Sequence, residues 1–190
     1  RFRLVNVSPN ESATIETIGG DIAISNNLIP ELDFTYFFTE NFSLELILGT
    51  TKHDVNTVAS SLVAIGGPAS ADVELGTVWL LPPTLTAQYH FNLYGFRPYV
   101  GAGINYTLFY SEKAGNTVQD ISYDNAFGFA FQGGFDYDLN DKWFLNIDAK
   151  YILLNTNVTV DASNLASGLS IPAKVNINPL LIGFGVGMRF

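Results

Sequence analysis

Few residues of this chain have the types that nucleophilic or metal-dependent chemistry needs. It has two histidines and no cysteine among 190 residues, which excludes a thiolate nucleophile, a disulfide scaffold and a cysteine-based zinc site. His53 and Asp54 precede Ser60 and Ser61, and these types could in principle form a nucleophile with its base. Geometry and not spacing defines such a site. His90 is expected near a short turn, whereas His53 is expected in a long connection, so His90 is not expected to join His53 in a site. We therefore predict no catalytic residue, no metal and no cofactor.

The composition combines apolar and acidic character. Hydrophobic residues make up 47% of the chain, charged residues make up 14%, and the formal net charge is −9. This negative charge argues against a nucleic-acid partner, which a basic patch would serve. No apolar stretch reaches about 18 residues, so we predict no transmembrane helix. We expect one domain over residues 1–190, and the composition still allows a membrane protein that is built from strands.

Alternation of side-chain type is the strongest pattern in the sequence. From Leu180 to Phe190 every second residue is large and apolar, and the residues between them are mostly glycine. A period of two is typical of a β-strand with one apolar face. Similar patterns predict eight strands, over residues 2–8, 32–38, 42–49, 84–91, 99–110, 127–138, 143–153 and 180–190. The pattern is weakest in the first of these, where two arginines alternate with apolar residues.

The connections between the predicted strands are short and long in turn. Three short turns lie at residues 39–41, 92–96 and 139–141, whereas residues 9–29, 50–82, 111–123 and 155–173 form long connections. Transmembrane barrels have short periplasmic turns and longer extracellular loops. We therefore predict an all-β, eight-stranded antiparallel transmembrane barrel with both termini on the periplasmic side. Within the connection 50–82, the apolar stretch 58–65 predicts either a short helix or strands that extend beyond the bilayer.

The size of the side chains indicates which strand face meets lipid. The polar faces consist mainly of small residues, and an eight-stranded barrel has a narrow interior that side chains nearly fill. The bulky faces are therefore expected outside. Aromatic residues support this assignment, because they collect at strand ends as in the interfacial girdles of membrane barrels. They are Phe38, Phe42, Phe91, Tyr137, Trp143 and Phe190 at the short turns, and Trp79, Tyr110 and Tyr151 near the long connections.

If the bulky face of each strand lies outside, the alternating residues point into the barrel, and several of them are polar or charged. They are Asp33, Glu45, Gln88, His90, Asp136, Asp148, Lys150 and Arg189. Buried charges must pair or form hydrogen bonds, because an isolated buried charge is costly. We predict a network in which Lys150 and Arg189 neutralise the carboxylates and close the lumen to water and ions. Whether this plug only stabilises the barrel or also redirects a substrate stays open.

Several segments of the sequence resemble those of one protein family. They are residues 81–91 (LPPTLTAQYHF), 97–106 (RPYVGAGINY), 132–137 (QGGFDY), 142–146 (KWFLN) and 178–179 (NP). Together they span nearly the whole chain and resemble the OmpW family of small outer-membrane channels. The resemblance implies a bacterial outer-membrane barrel with a long, narrow, hydrophobic entrance. It also implies uptake of small hydrophobic molecules, which leave sideways through the barrel wall into the lipid.

The inward apolar residues that are candidates to line this entrance are Phe37, Ile47, Ile152 and Leu154. In the family that the sequence resembles, a pair of bulky inward side chains narrows the channel near its base. Ile47 corresponds to one of this pair. Lys150 corresponds to the other, where other members can carry an aromatic residue. This difference predicts a more polar floor.

Two adjacent prolines, Pro82 and Pro83, precede the fourth predicted strand. Proline lacks the N–H that ladder pairing needs. The pair therefore marks either an ordinary strand boundary or a place where the barrel wall opens. Because the family resemblance includes both prolines, we take them as candidates for the lateral opening.

The sequence thus predicts an outer-membrane channel for small hydrophobic solutes. The alternative is a structural or adhesion barrel with a filled, non-conducting lumen, and an apolar cavity would distinguish the two. Expected partners are outer-membrane lipid and lipopolysaccharide. The chain ends in an alternating apolar strand with a final Phe190, which resembles the assembly signal of outer-membrane proteins and implies the barrel-assembly machinery as a further partner. We expect a monomer that binds no nucleic acid.

Overall fold

Antiparallel β-strands build almost the whole molecule. The computed structural model describes residues 1–16, 18–63, 67–164 and 167–190. In these residues no helix is long and apolar enough to cross a membrane. The strands are β1 (Phe2–Ser8), β2 (Ser12–Ile15), β3 (Asp21–Ile24), β4 (Asn27–Phe37), β5 (Phe42–Gly49), β6 (Thr51–Ser60), β7 (Ala71–Leu81), β8 (Thr84–His90), β9 (Phe96–Ala114), β10 (Asp120–Tyr123), β11 (Ala126–Asp138), β12 (Trp143–Asp161), β13 (Ser170–Asn176) and β14 (Leu180–Met188).

Eight of the described strands close into a ring. Their order is β1, β4, β5, β8, β9, β11, β12 and β14, and β14 pairs again with β1. Every one of these pairs is antiparallel. Closure gives each ring strand a hydrogen-bonded neighbour on both sides, which is what a hydrocarbon environment requires of the backbone. The predicted eight-stranded antiparallel barrel is thereby confirmed.

The long connections contain strands that extend the ring at one end. β13, β2 and β10 continue the sheet beside β12, whereas β7, β6 and β3 continue it beside β9. We call this the extended end and the opposite one the short-turn end. Of the two structures predicted for residues 50–82, the strands are present as β6 and β7. Residues 64–66, which include the end of the apolar stretch 58–65, lie outside the described residues.

The strands within the long connections have weaker sequence patterns than the ring strands for a physical reason. Outward residues of β6, such as Lys52, Asp54 and Asn56, are polar and exposed. Inward residues such as Val55 are buried. The alternation therefore continues without the bulky outer face by which the ring strands are recognised in the sequence.

Bulky apolar side chains cover the outside of the ring itself. Phe127, Phe129 and Phe131 on β11, and Val100 and Ile104 on β9, each expose more than half of their surface. A closed apolar band of this kind is suited to lipid and would be unfavourable in water. The residues between them on the same strands face a narrow interior.

Aromatic side chains lie at both edges of this apolar band. Near the short-turn end the ring of Tyr89 lies 5.0 Å from the rings of Phe42 and Phe91. Toward the extended end the rings of Trp79 and Tyr110 lie 6.2 Å apart. This arrangement matches the predicted girdles. Phe190 follows β14 and is exposed at the short-turn end, and its role in assembly stays a prediction.

An arginine in place of Phe131 is expected to lower the free energy of unfolding in lipid by about 2–4 kcal/mol, because it places a charge near the middle of the lipid-facing band. Urea titration in phospholipid vesicles measures this loss. Asn56→Arg is the control, since Asn56 faces outward on β6 beyond the band, and its effect should stay below about 1 kcal/mol. Equal destabilisation by the two variants would contradict the position of the band.

Candidate functional site

A buried polar plug occupies the barrel toward its short-turn end, and Arg3 lies at its centre. The Arg3 side chain is fully buried. Its Nη2 lies 2.5 Å from Asp33 Oδ2 and 3.0 Å from Glu31 Oε1, and its Nη1 lies 3.3 Å from Asp148 Oδ1. A planar guanidinium with five N–H groups can serve several carboxylates at once. Carboxylates from two different strands therefore share one cation that β1 supplies.

A second arginine, Arg1, extends the plug toward the short turns. It pairs with Glu45 and, at 3.3 Å, with Asp136 Oδ2. Its guanidinium carbon lies 5.1 Å from the centre of the Tyr99 ring, within the range of a cation–π contact. Arg3 Nη2 lies 3.7 Å from Glu45 Oε1, the same oxygen that Arg1 contacts. The buried Glu45 carboxylate thus lies between two positive charges.

Neutral donors satisfy the second oxygen of two buried carboxylates, Glu45 and Asp148. Gln88 and Gln132 donate from their Nε2 atoms to Glu45 Oε2 at 2.5 and 2.7 Å. Gln132 Nε2 also lies 2.7 Å from Asp148 Oδ2, and the Tyr99 hydroxyl donates to the same oxygen at 2.7 Å. Buried charges are tolerated when their lone pairs are occupied in this way.

Further contacts complete the layer of the plug that lies nearest the short-turn end. His90 Nε2 lies 3.1 Å from Ser43 Oγ and 3.0 Å from Gln88 Oε1. Tyr99 fits beside Gly134, where the Cβ of any other residue would lie 2.6 Å from the tyrosine oxygen. Small inward residues on the ring strands therefore make room for the large polar side chains of the plug.

The structure brings seven of the eight sequence-predicted plug residues together as buried side chains. They are Asp33, Glu45, Gln88, His90, Asp136, Asp148 and Lys150. Arg189 lies elsewhere and pairs with Asp138, and these two side chains are 33% and 28% exposed. The predicted pairing of Arg189 with the buried carboxylates is wrong, because this residue follows the last residue of β14 and reaches the open short-turn end.

Sequence reasoning missed the two arginines that supply most of the positive charge in the plug. Arg1 and Arg3 alternate with Phe2 and Leu4, which are 51% and 54% exposed on the outer face. This alternation was the available signal, and an arginine facing inward from a membrane strand needs a carboxylate partner. Glu31, which binds Arg3, was also missed.

An apolar cavity, which we call the lower chamber, lies between the plug and the extended end. It encloses about 880 Å³ of space free of atoms, including the part open to solvent. Its floor is polar, because Lys150 Nζ lies 3.3 Å from Glu31 Oε2 and both side chains are buried. The predicted residues Ile47, Ile152 and Leu154 line it. Most other lining residues are aliphatic and include Val7, Ile22, Ile24, Ile29, Val55, Val78, Leu80, Val175, Ile177 and Leu181.

Phe37 is absent from the lining of the lower chamber. It is the last residue of β4, and its ring lies 4.8 Å from the ring of His90, at the short-turn side of the plug. The predicted position of Phe37 in the apolar entrance is therefore wrong. The reason is that β4 runs toward the short turns, so its last residues lie below the charged layer and not above it.

A second apolar cavity, which we call the upper chamber, lies farther toward the extended end. Its lining surrounds about 680 Å³ of space free of atoms, including the part open to solvent, and shares Ile22 and Val175 with the lining of the lower chamber. Its other walls include Leu75, Val158 and Val160. The strands that extend the ring therefore surround apolar space, and the two chambers lie next to each other.

His53 lies on the wall of the lower chamber between two hydrogen-bond partners. Its Nδ1 is 2.6 Å from the Ser25 carbonyl oxygen and its Nε2 is 3.0 Å from Thr51 Oγ1. Burial lowers the pKa of His53, so the ring is neutral at neutral pH. Ser60 donates instead to the Gly19 carbonyl oxygen at 3.1 Å. Histidine and serine are thus engaged with separate partners.

The barrel wall is interrupted beside the lower chamber. The β5–β8 ladder ends at Ile47 and Thr84, and the β6–β7 ladder begins at Thr51 and Leu80. Residues 48–50 and 81–83 therefore face each other, but no ladder pair joins the two segments. We call this interruption the seam.

Both predicted prolines lie in the seam, where their missing N–H groups leave no donor unsatisfied. Across it, Thr50 Oγ1 donates to the Leu80 carbonyl oxygen at 3.0 Å. Gly49 on one side and Pro82 on the other line the lower chamber. The cavity and the interruption of the wall therefore adjoin.

Replacement of Arg3 by methionine is expected to lower the free energy of unfolding by about 3–5 kcal/mol, because three buried carboxylates lose their shared cation. Urea unfolding in phospholipid vesicles measures the change. Lys142→Met, in an exposed short turn, is the control and should change stability by less than about 0.5 kcal/mol. A loss below about 1 kcal/mol for Arg3→Met would show that the plug does not depend on this residue.

Comparison with known proteins places this barrel in a family. The model of the OmpW family matches residues 1–190. The chain is 46% identical to the outer-membrane protein y4mB of Sinorhizobium fredii, over all of this chain and 78% of the relative. It is 34% identical to outer membrane protein W of Vibrio cholerae, over all of this chain and 87% of the relative.

A solved structure shows the same architecture. The crystal structure of the outer membrane protein OprG from Pseudomonas aeruginosa superposes with a TM-score of 0.84 at 25% sequence identity, covering all of this chain and 95% of that one. These proteins are named as outer-membrane proteins, and the apolar outer band of this barrel agrees with that location. The chain therefore belongs to the OmpW family and is a β-barrel of the bacterial outer membrane.

Proposed function

We propose that this barrel takes up small hydrophobic molecules through the upper and lower chambers and releases them sideways through the seam into the lipid. The observation that carries the proposal is the position of the lower chamber. Its walls are aliphatic, the plug lies beneath it, and Gly49 and Pro82 connect its lining to the seam. Family membership supports the broader role of a membrane channel or transporter.

The free energies of transfer favour this route over passage through the plug. A hydrophobic solute gains about 25 cal/mol for each Å² of apolar surface that leaves water, and it keeps this gain when it moves from an aliphatic chamber into lipid. To continue along the barrel axis, it would have to part the ion pairs of Arg3 with Asp33 and Glu31. The separation of buried charges costs several kcal/mol.

The orientation that fits this function places the extended end outside the cell. Solutes then enter the upper chamber first, both termini lie in the periplasm, and lipopolysaccharide surrounds the outer part of the band. In this proposal the protein carries solutes and catalyses no reaction. The contacts of His53 with Ser25 and Thr51 agree with a structural role for that residue.

The alternative of a structural or adhesion barrel requires an interior that side chains fill throughout. The plug has this character, but side chains do not fill the space within the aliphatic lining of the lower chamber above it. The lower chamber therefore favours transport.

A chemical bridge across the seam is expected to reduce uptake. The chain has no cysteine, so Leu48→Cys with Pro83→Cys provides a unique pair for a short bismaleimide. In whole cells that produce the bridged protein, the initial uptake of n-octane should fall to the rate of cells without the barrel, because the exit cannot widen.

The control for this bridge uses the same two strands. Leu44 and Ala87 are paired in the intact part of the β5–β8 ladder, and a bridge between cysteines at these positions should leave uptake unchanged. Normal n-octane uptake with a complete Leu48–Pro83 bridge would contradict lateral exit at the seam.

Replacement of Pro82 by valine is also expected to reduce uptake, because it supplies the N–H that lets the β5–β8 ladder continue across the seam. The same n-octane assay applies, with folding verified by the mobility of unheated protein on gels. Pro172→Val, in β13 and away from the seam, is the control. Unchanged uptake by correctly folded Pro82→Val protein would argue that the prolines mark an ordinary strand boundary.

A further inference from the structure

We infer that the lower chamber selects hydrophobic molecules that carry one neutral hydrogen-bond-accepting oxygen, such as a ketone or an ether, and that the Tyr123 hydroxyl is the donor to that oxygen. This inference rests on the proposed uptake function and specifies the class of solute that the chamber prefers.

The carrying observation is a buried hydroxyl without a partner. Tyr123 is the last residue of β10 and lies on the wall of the lower chamber. Its ring stacks on Phe109, with centroids 5.4 Å apart and planes 10° from parallel. Its hydroxyl oxygen is buried and has no hydrogen-bond partner in residues 1–16, 18–63, 67–164 and 167–190. A buried hydroxyl left unpaired costs about 1–3 kcal/mol, so a bound solute that supplies an acceptor recovers this energy.

The charged groups and the imidazole of the chamber wall already have partners within the protein. Lys150 pairs with Glu31 at the floor. His53 lies between the Ser25 carbonyl oxygen and the Thr51 hydroxyl. These groups therefore need no solute to satisfy them.

The remaining threonines of the wall also have internal partners. Each one donates its hydroxyl to an oxygen of the barrel at 2.6–3.0 Å. The pairs are Thr84 with the Pro82 carbonyl, Thr107 with Asn105 Oδ1, and Thr156 with the Asp124 carbonyl. Among the described polar side chains of the lower chamber, Tyr123 is thus the one whose hydrogen-bonding group is free to bind a solute.

The surroundings of Tyr123 define the chemistry of the bound group. Burial raises the pKa of Tyr123, and the nearby Glu112 carboxylate raises it further, so the phenol stays protonated and can donate. An anionic solute would bring a charge into an aliphatic cavity at high cost, and Lys150 is already paired with Glu31. A neutral carbonyl or ether oxygen accepts the hydrogen bond without that cost.

Tyr123 lies at the end of the lower chamber that is nearest the upper chamber. Tyr123 pairs with Val158, eight residues along β12 from Lys150. This separation corresponds to about 26 Å along an extended strand. The oxygen of a solute would therefore bind near the upper chamber, and its hydrocarbon part would extend toward the aliphatic walls below.

Tyr123→Phe tests the inference, because it removes only the hydroxyl and keeps the ring that stacks on Phe109. The initial uptake of 2-octanone and of n-octane is measured in whole cells, and the rate of cells without the barrel is subtracted. The ratio of ketone to hydrocarbon uptake should fall by about 2- to 10-fold in the variant, which corresponds to one neutral hydrogen bond. The n-octane rate of each strain is the reference for this ratio.

Tyr106→Phe is the matched control, since Tyr106 contacts Phe127 on the outer wall with ring centroids 4.6 Å apart. It should leave the ratio at the wild-type value. An unchanged ratio in Tyr123→Phe, with both compounds still taken up, would overturn the inference and leave the proposed function standing. If wild-type cells take up neither compound faster than cells without the barrel, the proposed function itself fails.

Discussion

The shared ion pairing of Arg3 is the interaction on which the interior of this barrel depends. One guanidinium from β1 contacts Asp33 and Glu31 on β4 and Asp148 on β12. Strands that are distant in sequence are thereby joined across the lumen, where the small cross-section of an eight-stranded barrel leaves little room for water. The energetic cost of burying these charges is offset by the shared cation, by Lys150 beside Glu31, and by the neutral donors Tyr99 and Gln132 at Asp148. The result is a closed layer below an apolar chamber, and this closure leaves the wall as the low-energy exit.

The wall itself shows a second consequence of hydrocarbon as a solvent. An unpaired backbone group in lipid costs several kcal/mol, so an interruption of the ladder is tolerated only where donors are absent or satisfied. Pro82 and Pro83 remove two donors at the seam, and Thr50 occupies the Leu80 carbonyl oxygen. The residues of the seam therefore reduce the free-energy cost of a local opening of the wall. The lower chamber lies directly beside the seam.

Alternation of side chains was sufficient to predict the ring strands, because one face of each had to be bulky for lipid and the other small for a narrow lumen. The same parity placed Asp33, Glu45 and Asp148 inside. Parity does not give the position of a residue along the barrel axis, and there the predictions were wrong: Arg189 reaches the open short-turn end, and Phe37 lies on the short-turn side of the plug. The predicted residues Ile47, Ile152 and Leu154 line the lower chamber, but the extent of the two chambers could not be predicted, since it depends on how side chains from many strands pack. Tyr123 lay within a predicted loop, and only the structure shows that its hydroxyl is buried without a partner.

The most direct test of lateral exit is to map where a hydrocarbon contacts the barrel during uptake. An alkane that carries a photoreactive diazirine is supplied to whole cells, activated by light, and located by peptide mass spectrometry. Lateral exit predicts labels on residues of the two chambers and on the seam around residues 48–50 and 81–83, with none on the buried plug residues Gln88 and Gln132. Labels within the plug, or on the short-turn side of it, would show that the solute passes along the barrel axis and would contradict lateral exit.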